Sequence, residues 1–167
     1  MLQREKQTDW FVKIIRENIS ALFDLKGDKS DVGKHLETSF KSFPKVPNTF
    51  VCKGNWKLMY LGENHWILKA PIEDEDHLIS ILKPESLPPE ISIVLISDTL
   101  TFFSVVGPNA FDIMSIATPL DLNVSAFSNE NTTFGEVFGL KALISRIENG
   151  FQFAIDQSFG DMIADYL

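Results

Sequence analysis

Lys141-Ala-Leu-Ile-Ser-Arg146, Glu148-Asn-Gly150, Phe151-Gln-Phe-Ala-Ile155 and Ser158-Phe-Gly-Asp-Met-Ile-Ala-Asp-Tyr-Leu167 follow one another at the end of the chain. The first and third stretches have the residue types and alternation of strands, and Glu-Asn-Gly between them is hairpin-turn chemistry. The spacing then changes. Phe159, Met162, Ile163 and Tyr166 recur at i, i+3, i+4 and i+7, one apolar face of a helix, with Ser158 placed as its N-cap and Asp161 completing a capping-box-like pair.

Sliding this segment back by about 85 residues, without a gap, lays it on Trp56-Lys-Leu-Met-Tyr-Leu61, Gly62-Glu-Asn-His65, Trp66-Ile-Leu68 and a helical run from Asp74 to Leu82. Glu63-Asn64 falls on Glu148-Asn149, Trp66 on Phe151, Leu68 on Phe153, Asp76 on Asp161, Leu78 on Ile163 and Leu82 on Leu167. What precedes each hairpin also matches. Ile19 to Gly27 reads as a strand stopping at Gly, followed by a helix from Ser30 to Phe40; Leu100 to Gly107 reads as its counterpart, followed by a helix from Pro108 to Ile116. Pro108 suits the first helical position, where a missing N–H is no loss. Gly27 and Gly107 suit tight strand-to-helix turns that need positive φ or close backbone approach.

Apolar leads, Phe11-Val-Lys-Ile-Ile15 and Ile91-Ser-Ile-Val-Leu-Ile96, enter the two segments as short strands or extended chain, the first alternatively as a helix. The prolines of Lys83-Pro-Glu-Ser-Leu-Pro-Pro-Glu90 exclude a regular element and mark the junction. Phe43 to Asn48 links helix to hairpin in the first segment, and Asn123 to Thr133 is a polar, glycine-free loop expected to be mobile. The expected fold is therefore α+β, a single domain over 1–167 built from two similar β-α-β-β-α units, 11–83 and 91–167, with antiparallel sheets covered by helices.

Composition narrows the partners. A chain of 167 residues buries roughly 70% of its unfolded surface, and 14 Phe supply core volume. The net charge of −8 repels phosphate backbones and anionic lipid heads, so nucleic acid is not an expected partner. No run approaches the ~20 apolar residues of a membrane span. The amino-terminal residues lack the order of basic start, apolar run and small-residue cleavage site, so a cytoplasmic location is expected. Cys52 is the only cysteine, which excludes an internal disulfide and a cysteine-based zinc site.

No Gly-rich nucleotide loop, nucleophile elbow or His-Glu-x-x-His occurs, and the sequence predicts neither a catalytic residue nor a metal site. His35, His65 and His77 sit on separate elements, and Glu73 to Asp76 reads as acidic residues favouring a helix dipole rather than as cation ligands. Two features remain as cofactor-binding candidates. Among Trp10, Trp56 and Trp66, Trp66 offers an aromatic face for a planar ligand, although its alternation with Leu68 favours core packing. Gly107-Pro108-Asn109 presents backbone N–H groups at a helix start, suited to a carboxylate or phosphate, although a plain turn is the simpler reading.

The order Trp56-Lys-Leu-Met-Tyr-Leu-Gly-Glu-Asn-His-Trp-Ile-Leu68 resembles the "LWLGPDEWLL" hairpin of the sarcosine oxidase gamma subunit family. Ser97-Asp98 with Thr99 to Pro108 and Thr118-Pro-Leu-Asp-Leu122 resembles its "vSdalt…lsGp…cplDL" segment. Leu25-Lys-Gly27, Pro47-Asn48-Thr49, Gln157-Ser158-Phe159 and Tyr166-Leu167 resemble its remaining short motifs, in the same order along the chain. Glu63-Asn64, His65 and Thr118 depart from the family wording, and Cys52-Lys53-Gly54 does not reproduce the cysteine signature of the related YgfZ group.

The resemblance implies the folate-binding fold shared with the glycine-cleavage T-protein and YgfZ. It also implies a non-catalytic accessory subunit beside the folate side of an alpha subunit, with beta and delta subunits completing a heterotetramer. Such a complex demethylates sarcosine to glycine and passes the one-carbon unit to tetrahydrofolate, with FAD or FMN and NAD held by the other chains. The alternative expectation is a free-standing folate or small-molecule binding module, using Trp66 and the Gly107-Pro108 helix start.

Overall fold

Two five-stranded antiparallel sheets pack face to face, with a pair of helices on each outer side, in the computed structural model, which describes residues 11–37, 39–40, 42–83 and 86–167. Trp10 and Pro84, considered above, lie outside the described residues, as does Thr38 within the expected first helix.

The first half runs β1 (Lys13–Arg16), β2 (Ser20–Lys26), α1 (Lys29–Leu36), β3 (Thr49–Lys53), β4 (Trp56–Gly62), β5 (His65–Pro71), a 3-10 turn and α2 (Glu75–Leu82). The second runs β6 (Ser92–Leu95), β7 (Leu100–Val106), α3 (Ala110–Ala117), β8 (Thr132–Val137), β9 (Leu140–Ile147), β10 (Gly150–Asp156), a 3-10 turn and α4 (Gly160–Tyr166). One sheet has the order β3-β4-β5-β2-β6 and the other β8-β9-β10-β7-β1. The first strand of each half therefore pairs in the sheet of the other: β1 lies along β7, with Lys13 opposite Val106, and β6 lies along β2, with Phe23 opposite Leu95.

Strand alternation divides the core. Phe23, Leu25, Trp66 and Leu68 point to the helix side of the first sheet, where Val32, Leu36, Leu78 and Leu82 meet them. Phe103, Phe151, Phe153 and Ile155 do the same in the second sheet, against Met114 and Ile163. The alternate positions, Leu22, Met59, Ile67, Phe102, Leu143 and Ala154, fill the seam between the sheets. Each of the larger of these buried side chains contributes on the order of 2 kcal/mol by leaving water.

The hairpin turns are where the sequence places them. Asn64 and Asn149 occupy left-handed conformations, at φ 59° and 58°, which asparagine tolerates better than most residues. The strand-end glycines answer to close approach. Gly27 N donates to Asn64 O at 3.2 Å and Gly107 N to Asn149 O at 2.9 Å. A Cβ on Gly27 would stand 2.9 Å from Glu90 O, and one on Gly107, at φ 124°, 2.5 Å from Phe11 O. In both halves the crossing lead segment presses on the glycine of the strand it reaches.

Several expectations are corrected. Each half has a further strand, β3 or β8, between helix and hairpin; the leads contain the short strands expected of them, and the helical alternative for the first does not form. A bulge between Tyr60 and Gly62 puts β4 one residue out of step, so helix-facing Tyr60 corresponds to Arg146 rather than to Ser145. Pro108 is not the first helical residue; α3 begins at Ala110 after Asn109. Ser158 is not the cap either: Asp156 accepts its backbone N–H at 2.9 Å and starts a 3-10 turn, because the shorter Asx arrangement forms first. Of the apolar face read on the last helix only Ile163 is buried, while Phe159, Met162 and Tyr166 are exposed. The loop from Asn123 to Thr133 is pinned: Phe127 is buried, and Arg146 donates to the carbonyls of Leu122 and Phe127.

Candidate functional site

The seam between the sheets is apolar in its middle and charged at both ends, since β2, β4, β5, β7, β9 and β10 place polar side chains toward the ends of their inner faces. One end carries Asp24, Lys26 and His65. Asp24 Oδ1 lies 2.5 Å from His65 Nε2 and its Oδ2 lies 3.0 Å from Lys26 Nζ. Asp24 and His65 border a pocket of about 460 Å³ lined also by Ile67, Leu100, Phe134, Leu143 and Phe159, with Lys141 and Asp156.

The other end is built around Glu17, which lies just past β1 and reaches into the seam. Its carboxylate accepts from Ser104 Oγ at 2.5 Å, Gln152 Nε2 at 2.6 Å and Lys69 Nζ at 3.0 Å. Burial pushes the Glu17 carboxyl up, but the Ser104 hydrogen bond, the Lys69 charge and the Gln152 bond together outweigh it and hold it below its ordinary value. Lys57 stands beside this group, 3.5 Å from Gln152 Oε1 and 4.1 Å above the Phe50 ring. Burial is the main reason its amine is lowered to about 8; the Lys69 charge adds to this, while Cys52 and Glu17 oppose it. Lys57, Lys69 and Gln152 border a pocket of about 410 Å³, together with Phe50, Cys52 and Trp56.

Of the residues singled out from the sequence, Trp66 lies on the helix side of its sheet rather than in the seam. It is fully buried, stacked on Tyr60 at 4.8 Å between centroids and tilted against Phe43 at 5.5 Å. Its indole N–H has no hydrogen-bond partner. At the α3 start, the groups offered to an anion are used by the crossing lead: Asn109 N donates to Phe11 O at 3.4 Å and Asn109 Oδ1 accepts from Phe11 N at 3.0 Å. Gly107 and Pro108 border an open groove there with Phe11 and Phe111. The structure does not bring Trp66 and Gly107-Pro108-Asn109 into one pocket.

The histidines and acids divide as follows. His35 Nε2 lies 2.9 Å from Leu82 O, His77 packs beside Trp56, Asp74 accepts from Trp56 Nε1 at 2.6 Å, and Glu75 accepts from Ser97 Oγ. Among the described residues no group of three or more His, Cys, Asp or Glu is arranged to hold a metal ion. No described helix is long and apolar enough to cross a membrane.

The seam residues were not singled out in the sequence. Glu17, Lys57, Lys69, Ser104 and Gln152 come from both halves, and only the crossing of β1 brings the first beside the others. A signal was present, however: Lys57 and Lys69 interrupt the apolar runs of two adjoining strands on the same side of the sheet.

The architecture, two five-stranded antiparallel sheets each covered by helices, is a fold the chain shares with solved structures. By sequence, neither a family model nor a curated protein matches the chain. By structure, it is similar to a chain of the heterotetrameric sarcosine oxidase from Corynebacterium sp. U-96 in complex with pyrrole 2-carboxylate. The TM-score is 0.77 at 17% identity, over 90% of this chain and 78% of that one. It is also similar to the glycine cleavage system aminomethyltransferase T from Bartonella henselae, with a TM-score of 0.71 at 15% identity over 93% of this chain. It spans only 45% of that aminomethyltransferase.

Proposed function

We propose that the chain is a non-catalytic, gamma-type subunit of a sarcosine oxidase-like complex, folded as one domain from two copies of a single unit and docked beside the folate side of an alpha subunit. The fold likeness to a sarcosine oxidase chain over most of both lengths supports the type of assembly. The observation that carries the reading is an apolar helix layer left uncovered on the second half. Ile116 is 76% exposed, Met162 52% and Tyr166 72%, with Phe111 and Phe159 also open to solvent. Large apolar side chains displayed on both helices of one layer suit a permanent partner. Flavin, NAD and tetrahydrofolate chemistry then belongs to the alpha, beta and delta subunits. Co-expression with those three chains from the same organism tests the reading: stable four-chain particles are expected, and a three-chain assembly that excludes this chain contradicts it.

A second reading is favoured by the 460 Å³ pocket at the Asp24–His65 end of the seam, which has the apolar walls and few convergent polar groups of a small-molecule site. There the chain binds a folate or similar planar ligand by itself. Calorimetry with tetrahydrofolate on the isolated chain supports that reading if heat is released, and millimolar ligand without heat removes it.

A further inference from the structure

Cys52, Lys57 and Lys69 form a row across β3, β4 and β5, each directly opposite the next on the inner face of the first sheet. Like charges in directly opposite positions repel, and the two lysines are relieved of this differently. Lys69 lies 3.0 Å from the Glu17 carboxylate. Lys57 has no carboxylate ion-pair partner among the described residues. Its polar contact is the neutral Gln152 amide, and its other neighbour is the face of Phe50. Arg146, across the same 410 Å³ pocket, is already engaged by two backbone carbonyls, so Lys57 is the cationic side chain bordering it that is held by neither a carboxylate nor a backbone carbonyl.

An amine packed in partly apolar surroundings, beside a second cation and with no carboxylate in ion-pair contact, is held toward its neutral, nucleophilic form. We propose that Lys57 is a reactive amine that condenses with a small aldehyde admitted to this pocket. The amine lone pair attacks the carbonyl carbon and the carbonyl oxygen takes up a proton, giving a carbinolamine. Loss of that oxygen as water, with both amine hydrogens accounted for in the water and the released proton, leaves an imine between Nζ and the former carbonyl carbon. No oxidant or reductant takes part, and hydrolysis reverses the step. The lowered Lys57 value of about 8 agrees with this geometry, leaving roughly a tenth of the amine neutral at pH 7.

The inference goes beyond the subunit reading and is tested on the isolated chain. Glycolaldehyde and cyanoborohydride are added at pH 7, and adducts are followed by peptide mass spectrometry. The reductant fixes imines only, so reversible addition to the Cys52 thiol is not recorded. Lys57 is expected to be labelled at least about tenfold faster than the exposed Lys26 and Lys34, with a pH midpoint near 8. Lys69→Gln removes the adjoining cation and leaves Glu17 free to pair with Lys57, so the midpoint moves upward and labelling at pH 7 falls several-fold. Equal rates at Lys57, Lys26 and Lys34 in the wild type overturn the proposal. An unmoved midpoint in a folded Lys69→Gln protein does so as well.

Discussion

The two halves of the molecule share a strand order and differ in where they place charge. Aligned from their first helical residues, α1 reads Lys29-Ser-Asp-Val-Gly-Lys-His-Leu36 and α3 reads Ala110-Phe-Asp-Ile-Met-Ser-Ile-Ala117. Ser30 and His35 of the first half thus stand where the second has the exposed Phe111 and Ile116. The second pair of helices repeats the contrast in part: Asp74 and His77 in and beside α2 correspond to Phe159 and Met162 in and beside α4, while the partly buried Ile81 corresponds to the exposed Tyr166. Inside the seam the pattern inverts. Allowing for the bulge in β4, Lys57 and Lys69 correspond to Leu143 and Ala154. At these positions the first half has polar residues outward and lysines inward, whereas the second has apolar residues in both places. One strand order therefore carries lysines into the seam from one half and exposed apolar side chains on the outer helices of the other.

That contrast can be broken most severely at the helices. Leu78 is fully buried under α2, and Leu78→Ala is expected to cost about 3 kcal/mol through lost burial and the cavity left behind. Met162→Ala, on the outer side of α4, is expected to change stability by less than about 0.5 kcal/mol. Urea denaturation of the isolated variants measures both, and a loss at Met162 comparable to that at Leu78 would show that the outer side of α4 is packed rather than displayed to solvent.

A smaller effect sharpens the inner contrast. Lys57→Met makes the first half resemble the second at that position. Because the amine titrates at about 8 in the folded chain and at the ordinary 10.5 when unfolded, the folded form is disfavoured by the charge at every pH below about 8. Between about 8 and 10.5 the unfolded chain holds the extra proton, and wild-type stability rises with pH. Lys57→Met is therefore expected to be more stable than wild type by about 1 kcal/mol at pH 7, with the advantage shrinking through that window. Melting curves taken from pH 6 to 11 check the sign; an advantage that grows with pH contradicts the assignment.

Much of the architecture was legible because it is local. The Glu63-Asn64 and Glu148-Asn149 turns, the alternating strands around them and the glycines ending β2 and β7 are each specified within a few residues. What was not legible depends on distant partners. Thr49-Phe-Val-Cys-Lys53 is too short to announce itself as a strand, and its place is fixed by pairing with β4 and by Phe50 N donating to Glu130 O of the other half. The crossing of β1 and β6 leaves no local mark, since either lead would pair equally well by composition with its own half. The seam site needs that crossing, because Glu17 enters it from the end of β1 while Ser104 and Gln152 belong to the opposite sheet. The face of α4 misled for a related reason: helical spacing of apolar residues states that a face exists, not whether this chain covers it.

Co-elution of the full chain with the alpha, beta and delta subunits, comparing wild type with the double variant Met162→Lys/Tyr166→Lys, tests the central claim most directly. Wild type is expected to enter the four-chain particle, the double variant to remain folded and elute alone, and His77→Lys on the corresponding side of α2 still to assemble. Undiminished assembly of a folded Met162→Lys/Tyr166→Lys protein, or no assembly of the wild type, would contradict it.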